Sequence, residues 1–315
     1  PEIRPCSSVA MKLKPHGASL TQSANTGRTN RSARRSFTKQ EPGDLQSLIP
    51  CLQHQGTHGE IRRRQQTINK SMPNPRIKNS SSCRILINFF SEKQALLNAL
   101  QRQWISFLKI AAKSKEPVIV ALSGGRIAPE LFNSFAEITL NRFGNALPKI
   151  HFFWADERCV PMDSPESNFN IANRYLFQPL KIDDKQIHRI RGEVEPETAA
   201  ALATEEFIQI KKNRRIFELI ILGMGEDGHV ASLFPQEPED LINDKSIYRN
   251  VVAVKPPPNR ITLGYQPIIN AKLVWVVISG ENKANAFANS LPPNFKTPLG
   301  RILKARKSTN LFYYS

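Results

Sequence analysis

The stretch "LIILGMGEDGHVASLFP", residues 219–235, raises the first question about the fold. Its opening run is apolar, and Gly223, Gly225 and Gly228 then fall at the G-x-G-x-x-G spacing of a dinucleotide-binding turn. That turn needs a helix running on from the glycines and an acid at the end of the next strand, roughly 20 residues further on, to hold a ribose. Both supports are missing. Pro235 and Pro238 break the following segment, and the next strand-like run, "NVVAV" (250–254), ends at Lys255 rather than at an acid. The glycines therefore serve other chemistry. Asp227 and His229 stand beside them in a polar loop after a buried strand. There a histidine is a candidate general base as well as a candidate structural residue.

Working outward, the chain from about Cys83 alternates strand and helix patterns. "RILINF" (84–89), "PVIVAL" (117–122), "KIHFFWA" (149–155), "FELIIL" (217–222), "NVVAV" and "KLVWVVIS" (272–279) read as strands, and "LFYY" (311–314) as a last edge strand. Continuous apolar runs such as "PVIVAL" mark strands buried on both faces of a parallel sheet. Helical periods run through 91–113, with Ser91 as N-cap, and through 128–141, 168–177, 196–213 and 281–291. A further helix is expected to begin near Thr262, a good N-cap. Such alternation predicts a Rossmann-like α/β fold with a mostly parallel sheet and helices on both faces. Ligands of such folds sit at the carboxyl ends of the strands.

The loops at those ends carry the chemistry. Ser123, Gly124, Gly125 and Arg126 follow "PVIVAL" and precede a helix, so backbone N–H groups and a guanidinium can meet an anion there. A simple glycine turn is the plain alternative, and no Gly-Lys-Ser/Thr follows as a Walker loop requires. Asp156, Glu157 and Arg158 end "KIHFFWA"; in an extended chain Asp156 and Arg158 point to one side. The prolines of "KPPPNR" stiffen the chain that carries Lys255 and Arg260, and Lys283 lies in the first turn of a helix, where a bound anion would account for it. No G-x-S-x-G nucleophile elbow occurs. One candidate base, acidic groups and several cations around a glycine-rich turn describe a site for a small phosphorylated substrate.

Residues 1–80 differ in character. They hold 14 Lys and Arg against 4 Asp and Glu, a large share of the net charge of +17. They are rich in Ser, Thr, Asn, Gln and Pro without apolar periodicity, so they are expected to be a disordered basic extension, with the catalytic domain at 81–315. Three accounts of the extension stand: a nucleic-acid-touching tail, an organellar transit peptide, or a dispensable leader ahead of a start at Met72. The last is favoured. His54 and His58 lie four apart but lack a helical pattern or an acidic partner, so no metal is expected. The apolar runs are too short to span a bilayer. Four scattered cysteines, none in a C-x-x-C pair, fit free thiols in a reducing, cytoplasmic setting.

Taken together, "LSGGRIAP", "WADERCVPMDSPESNFN", "LGMGEDGHVASLFP", "KPPPNRITL" and "SGENKANAF" resemble the 6-phosphogluconolactonase family, in the family's order, over about residues 84–315. The resemblance implies hydrolysis of 6-phospho-D-glucono-1,5-lactone without metal or organic cofactor, on a fold shared with glucosamine-6-phosphate deaminases and sugar-phosphate-sensing regulators. On that resemblance His229 acts on water, Asp227 or Asp156 orients it, and Arg158 steadies the oxyanion or grips the phosphate. The phosphate falls to Ser123, Gly124, Gly125, Arg126, Arg260 and Lys283, with Lys255 a weaker candidate. The family's usual first loop is Ser-Gly-Gly-Ser/Thr-x-Pro, so Arg126 is a departure. The related deaminases carry an acid where this chain has Phe234, which favours the lactonase. A non-catalytic sugar-phosphate sensor with a basic nucleic-acid-binding tail is the reading from another class. The partner is then a small sugar-phosphate lactone, and the chain a monomer or homodimer.

Overall fold

The computed structural model describes residues 76–78, 84–144, 148–211 and 216–315. Its main sheet contains β1 (Arg76–Lys78), β2 (Arg84–Phe90), β3 (Val118–Leu122), β4 (Ile150–Trp154), β6 (Leu219–Gly223), β9 (Leu273–Ser279) and β10 (Ser308–Tyr314). Their spatial order is β1-β2-β10-β9-β6-β3-β4. All neighbours run parallel except β1, which pairs antiparallel with β2. β1 lies inside the stretch 1–80, the rest of which, with His54 and His58, is outside the described residues.

The strands form where the apolar runs predict them. Every residue of β3 is buried, as expected for a strand covered on both faces. Helix α1 (Lys93–Ala111) turns Leu96, Leu97, Leu100, Trp104, Phe107 and Leu108 inward. Its N-cap is Glu92 rather than Ser91, and no side chain closes that end. Trp104 stacks on Phe135 of α2 (Ala128–Phe143) with ring centroids 4.9 Å apart, and its indole N–H reaches Thr139 Oγ1 at 2.9 Å. Adjacent residues of β4 show the two-sided cover. Phe152 meets Phe177, in the π turn that follows α3 (Asn168–Ala172) and leads into α4 (Gln178–Leu180). Phe153 meets Phe207 on α5 (Pro196–Ile210). Successive strand residues point to opposite faces, so helices lie on both.

A second sheet, of which only the "NVVAV" run was expected as a strand, holds β5 (Asp156–Arg158), β8 (Asn259–Leu263) and β7 (Tyr248–Val252), antiparallel in the order β5-β8-β7. Ala155 joins the two sheets. Its N–H donates to Leu122 O and its carbonyl accepts from Leu263 N, each at 2.7 Å. The three-stranded sheet is thereby anchored at the carboxyl end of β3 and β4.

The structure departs from three expectations. Thr262 is a buried residue of β8, not an N-cap, and the next helix, α6 (Tyr265–Asn270), follows Gly264. "NVVAV" feeds the small antiparallel sheet rather than the parallel one. β10 is interior, paired on one side with β2 and on the other with β9. The remaining helices are α7 (Ala284–Ser290) and α8 (Pro298–Ala305), the latter capped by Thr297 Oγ1 accepting from Gly300 N.

Candidate active site

The chain visits β3 and then β4 on one side of it, and later β6, β9 and β10 on the other. This reversal at β3/β6 is the switch point at which open α/β sheets bind ligands. A cavity of about 490 Å³ lies there, lined from Ser123–Gly125 after β3, Gly223–Glu226 at the end of β6 and Ser279, Gly280, Asn282 and Lys283 at the end of β9. Asp156, Arg158 and Arg260 complete it from the small sheet, with Lys255, Asn168 and His229. Among the residues proposed from sequence for catalysis or phosphate binding, all but Asp227 line this one cavity, and Asp227 is bonded to His229, which does.

The glycine segment folds as a hairpin, not as a strand-to-helix turn. Met224 bridges Val230 antiparallel, and Gly225 N donates to His229 O at 2.9 Å. No helix follows to complete a dinucleotide site. Each glycine has its own reason. A Cβ at Gly225 would fall on the His229 ring, while Gly228 has φ +82° and abuts Thr297. Gly223 has room for a Cβ, so its spacing in the motif carries no steric demand.

His229 Nδ1 lies 2.5 Å from Asp227 Oδ1, and the same carboxylate oxygen accepts from His229 N at 3.1 Å. Burial would raise the Asp227 carboxyl, but the His229 hydrogen bond and charge outweigh it and hold it at about 2. An ionised carboxylate only accepts, so Nδ1 carries the proton of this bond, and in a neutral imidazole Nε2 is then the nitrogen with the lone pair. Asp156 does not share this task. Its carboxylate takes Ser232 Oγ at 2.9 Å, Ser123 Oγ at 3.4 Å and Asn168 Nδ2 at 3.5 Å.

The cations divide by environment. Lys283 is 9% exposed and its ammonium has no hydrogen bond or ion pair among the described residues. Burial, with Arg126 nearby, lowers its pKa. Arg260 is also buried, held by Pro257 O and Lys255 O at 3.0 and 3.2 Å, and burial followed by Arg158 lowers its pKa. Arg158 is anchored by Glu166 O at 2.7 Å. Lys255 itself is exposed, and its backbone carbonyl, by holding Arg260, is its clearest contribution. Arg126 is exposed and paired with Glu226 at 2.9 Å. Phe234 sits between base and cation, its ring 5.1 Å from the His229 ring and 5.7 Å from the Arg260 guanidinium carbon.

Several contributors have roles that the sequence did not reveal. Glu157, only 2% exposed, points away from the cavity and closes the start of α3. It accepts Asn168 N, Phe169 N and Arg158 N at 2.8, 2.7 and 2.8 Å. Burial pushes its carboxyl up to about 7 against the pull of these donors. Asn168, so placed, donates to Asp156 O at 2.8 Å, and Ser232 ties the His229 segment to Asp156 and, through its own N–H, to Thr262. Charge at a strand end was the only available signal for Glu157, and nothing in the pattern marked Asn168 or Ser232. Cys159 is a free thiol pushed by burial up to about 11, so it is neutral at ordinary pH.

Among the described residues no group of three or more His, Cys, Asp or Glu is placed to hold a metal ion, and no helix is long and apolar enough to cross a membrane. The family profile described as glucosamine-6-phosphate isomerases/6-phosphogluconolactonase matches residues 91–311. The chain belongs to this family. It is 35% identical over 203 residues to the 6-phosphogluconolactonase of Treponema pallidum, covering 62% of this chain and 81% of that protein. It is 36% identical over 178 residues to the 6-phosphogluconolactonase of Haemophilus influenzae, covering 56% and 74%. The crystal structure of 6-phosphogluconolactonase from Thermotoga maritima superposes with a TM-score of 0.62 at 27% identity, over 73% of this chain and all (100%) of that one.

Proposed function

We propose that the chain hydrolyses 6-phospho-D-glucono-1,5-lactone to 6-phosphogluconate, with His229 as the general base. The observation that carries this reading is His229, 2.5 Å from Asp227, in a cavity whose lining cations include Arg126, Arg158, Arg260 and Lys283. The similarity to named 6-phosphogluconolactonases supports the same activity.

A δ-lactone is an activated ester, so positioned water and charge stabilisation suffice, without a covalent nucleophile. Nε2 of His229 takes a proton as the water oxygen bonds to the lactone carbonyl carbon. Asp227 fixes the ring and stabilises the imidazolium. Arg158 stabilises the oxyanion. On collapse the bond from C1 to the ring oxygen breaks, and Nε2–H returns its proton to that oxygen. The new acid ionises and releases one proton to solvent. The 6-phosphate is held by the Ser123–Gly125 backbone, Lys283 and Arg126, with Arg260 and Lys255 lending positive potential. Asp156 organises the wall through Ser123, Ser232 and Asn168 rather than the imidazole.

The deaminase reading is disfavoured by Phe234. It packs on His229, and an aromatic hydrocarbon cannot transfer a proton in a ring-opening step. The sensor reading finds no support in residues 1–80, which show no helix-turn-helix periodicity. We assign catalysis to residues 81–315 in a cytoplasmic setting. The test is acid release from freshly generated lactone above the spontaneous rate, with glucosamine 6-phosphate supplied in parallel. Turnover of the amino sugar in place of the lactone overturns the assignment.

A further inference from the structure

Glu226 stands on the cavity wall in the hairpin after β6. Its Oε1 accepts from Arg126 Nη2 at 2.9 Å and from Asn282 Nδ2 at 2.5 Å. Arg126 belongs to the glycine-rich loop after β3, and Asn282 precedes Lys283 in the loop after β9. One carboxylate thus bridges the two loops that carry the phosphate-binding cations. A negative charge in that place opposes a phosphate dianion by direct Coulomb repulsion and occupies a cation the dianion needs.

Stability does not account for it. The Arg126 side chain is 76% exposed and that of Glu226 46%, and such pairs contribute little to folding. Exposure also leaves both side chains free to rearrange. Lys283 makes the contrast: it is buried, and its ammonium has no hydrogen bond or ion pair among the described residues.

We propose that Glu226 is a counter-anion that sets the affinity of the site for phosphate. It holds Arg126 when the site is empty, and the phosphate of an arriving ligand displaces it. When the ligand leaves, Glu226 pairs with Arg126 again. Lactone and product carry the same phosphate, so Glu226 holds down the affinity for both and limits inhibition by product. This inference rests on the placement of the phosphate in the proposed function.

A purely structural Glu226, needed to keep Arg126 and Asn282 in place, predicts the opposite sign, because neutralising it would loosen the site. Glu226→Gln in the full chain separates the two. Calorimetric titration with inorganic phosphate and with 6-phosphogluconate at low ionic strength should show both binding about three- to fivefold tighter than to the wild type. The gain should shrink in about 0.5 M salt. Glu226→Ala should shift affinity in the same direction, and Asn282→Ala, which leaves the charge, should not tighten binding. Unchanged or weaker binding by Glu226→Gln overturns the proposal. Binding is read without turnover, so the two readings fail separately. A chain that shows the gain but cannot hydrolyse the lactone refutes the lactonase alone. A chain that hydrolyses the lactone without the gain refutes only the role given to Glu226.

Discussion

Gly225 and His229 are fitted to one another: the space a Cβ would take at Gly225 is filled by the imidazole. The Gly225 N–H also donates to the His229 carbonyl at 2.9 Å, closing the hairpin that aims the ring. Gly225→Ala must therefore displace the ring from Asp227 while leaving the buried sheet intact. We expect kcat to fall about 10²-fold or more with little change in the thermal midpoint, since misplacement of a reacting group by about 1 Å is enough for that loss. Steady-state kinetics beside a thermal melt checks this; full activity would mean the ring position is not critical.

Asp227 should act through His229 alone. Asp227→Asn is expected to lower kcat about 10²-fold with KM nearly unchanged, because the ionised carboxylate fixes the Nδ1–H tautomer and stabilises the imidazolium. Combined with His229→Ala it should cost nothing further. Additive losses in the double variant would show that Asp227 has a separate role.

Lys283 should behave as a binding residue. Removing a buried, unpaired ammonium takes away its attraction for the phosphate while relieving its own burial. Lys283→Ala is expected to raise KM about tenfold or more and change kcat by less than about threefold. Inhibition by inorganic phosphate should weaken in parallel. An unmoved KM would place the phosphate elsewhere in the cavity.

Glu157 links stability to pH. Its folded-state pKa of about 7 lies above the ordinary carboxyl value of 4.5, so the folded protein holds a proton the unfolded chain releases. Its contribution is fully present below pH 4.5 and is lost as pH rises through about 7. The loss is on the order of 3 kcal/mol at about 1.4 kcal/mol per unit. Glu157→Gln should be less stable at low pH, having lost an acceptor for the α3 start, yet show a flatter profile. Denaturant melts of both proteins from pH 4.5 to 7.5 give the difference curve, and parallel profiles would contradict the assignment.

The sequence was most informative where burial is two-sided. The all-apolar runs of β3 and β6 could only be parallel strands, and the residues just after them had to face the ligand edge. It was least informative where strand and loop chemistry overlap. Asp156–Arg158 reads as a charged loop but pairs with β8, and Glu157 finds backbone N–H donors from α3, which begins eleven residues later. β8 hides behind prolines, and four of its five residues are buried, so no period-two alternation survives. The interior place of β10 depends on sheet order, which local pattern does not encode. At the site, the base and cations were legible as residue types at strand ends. The division of labour was not: only the folded arrangement separates Asp227, which holds the imidazole, from Asp156, which holds the wall, and pairs Arg126 with Glu226.

The central claim is that His229 activates water against a phosphorylated lactone. Its most direct test is the rate of acid release from freshly generated 6-phospho-D-glucono-1,5-lactone by wild-type chain and by His229→Ala, corrected for spontaneous hydrolysis. A general base at His229 requires turnover by the wild type and a loss of at least ~10²-fold in kcat for the variant, with KM little changed. Equal turnover by the two proteins would contradict it.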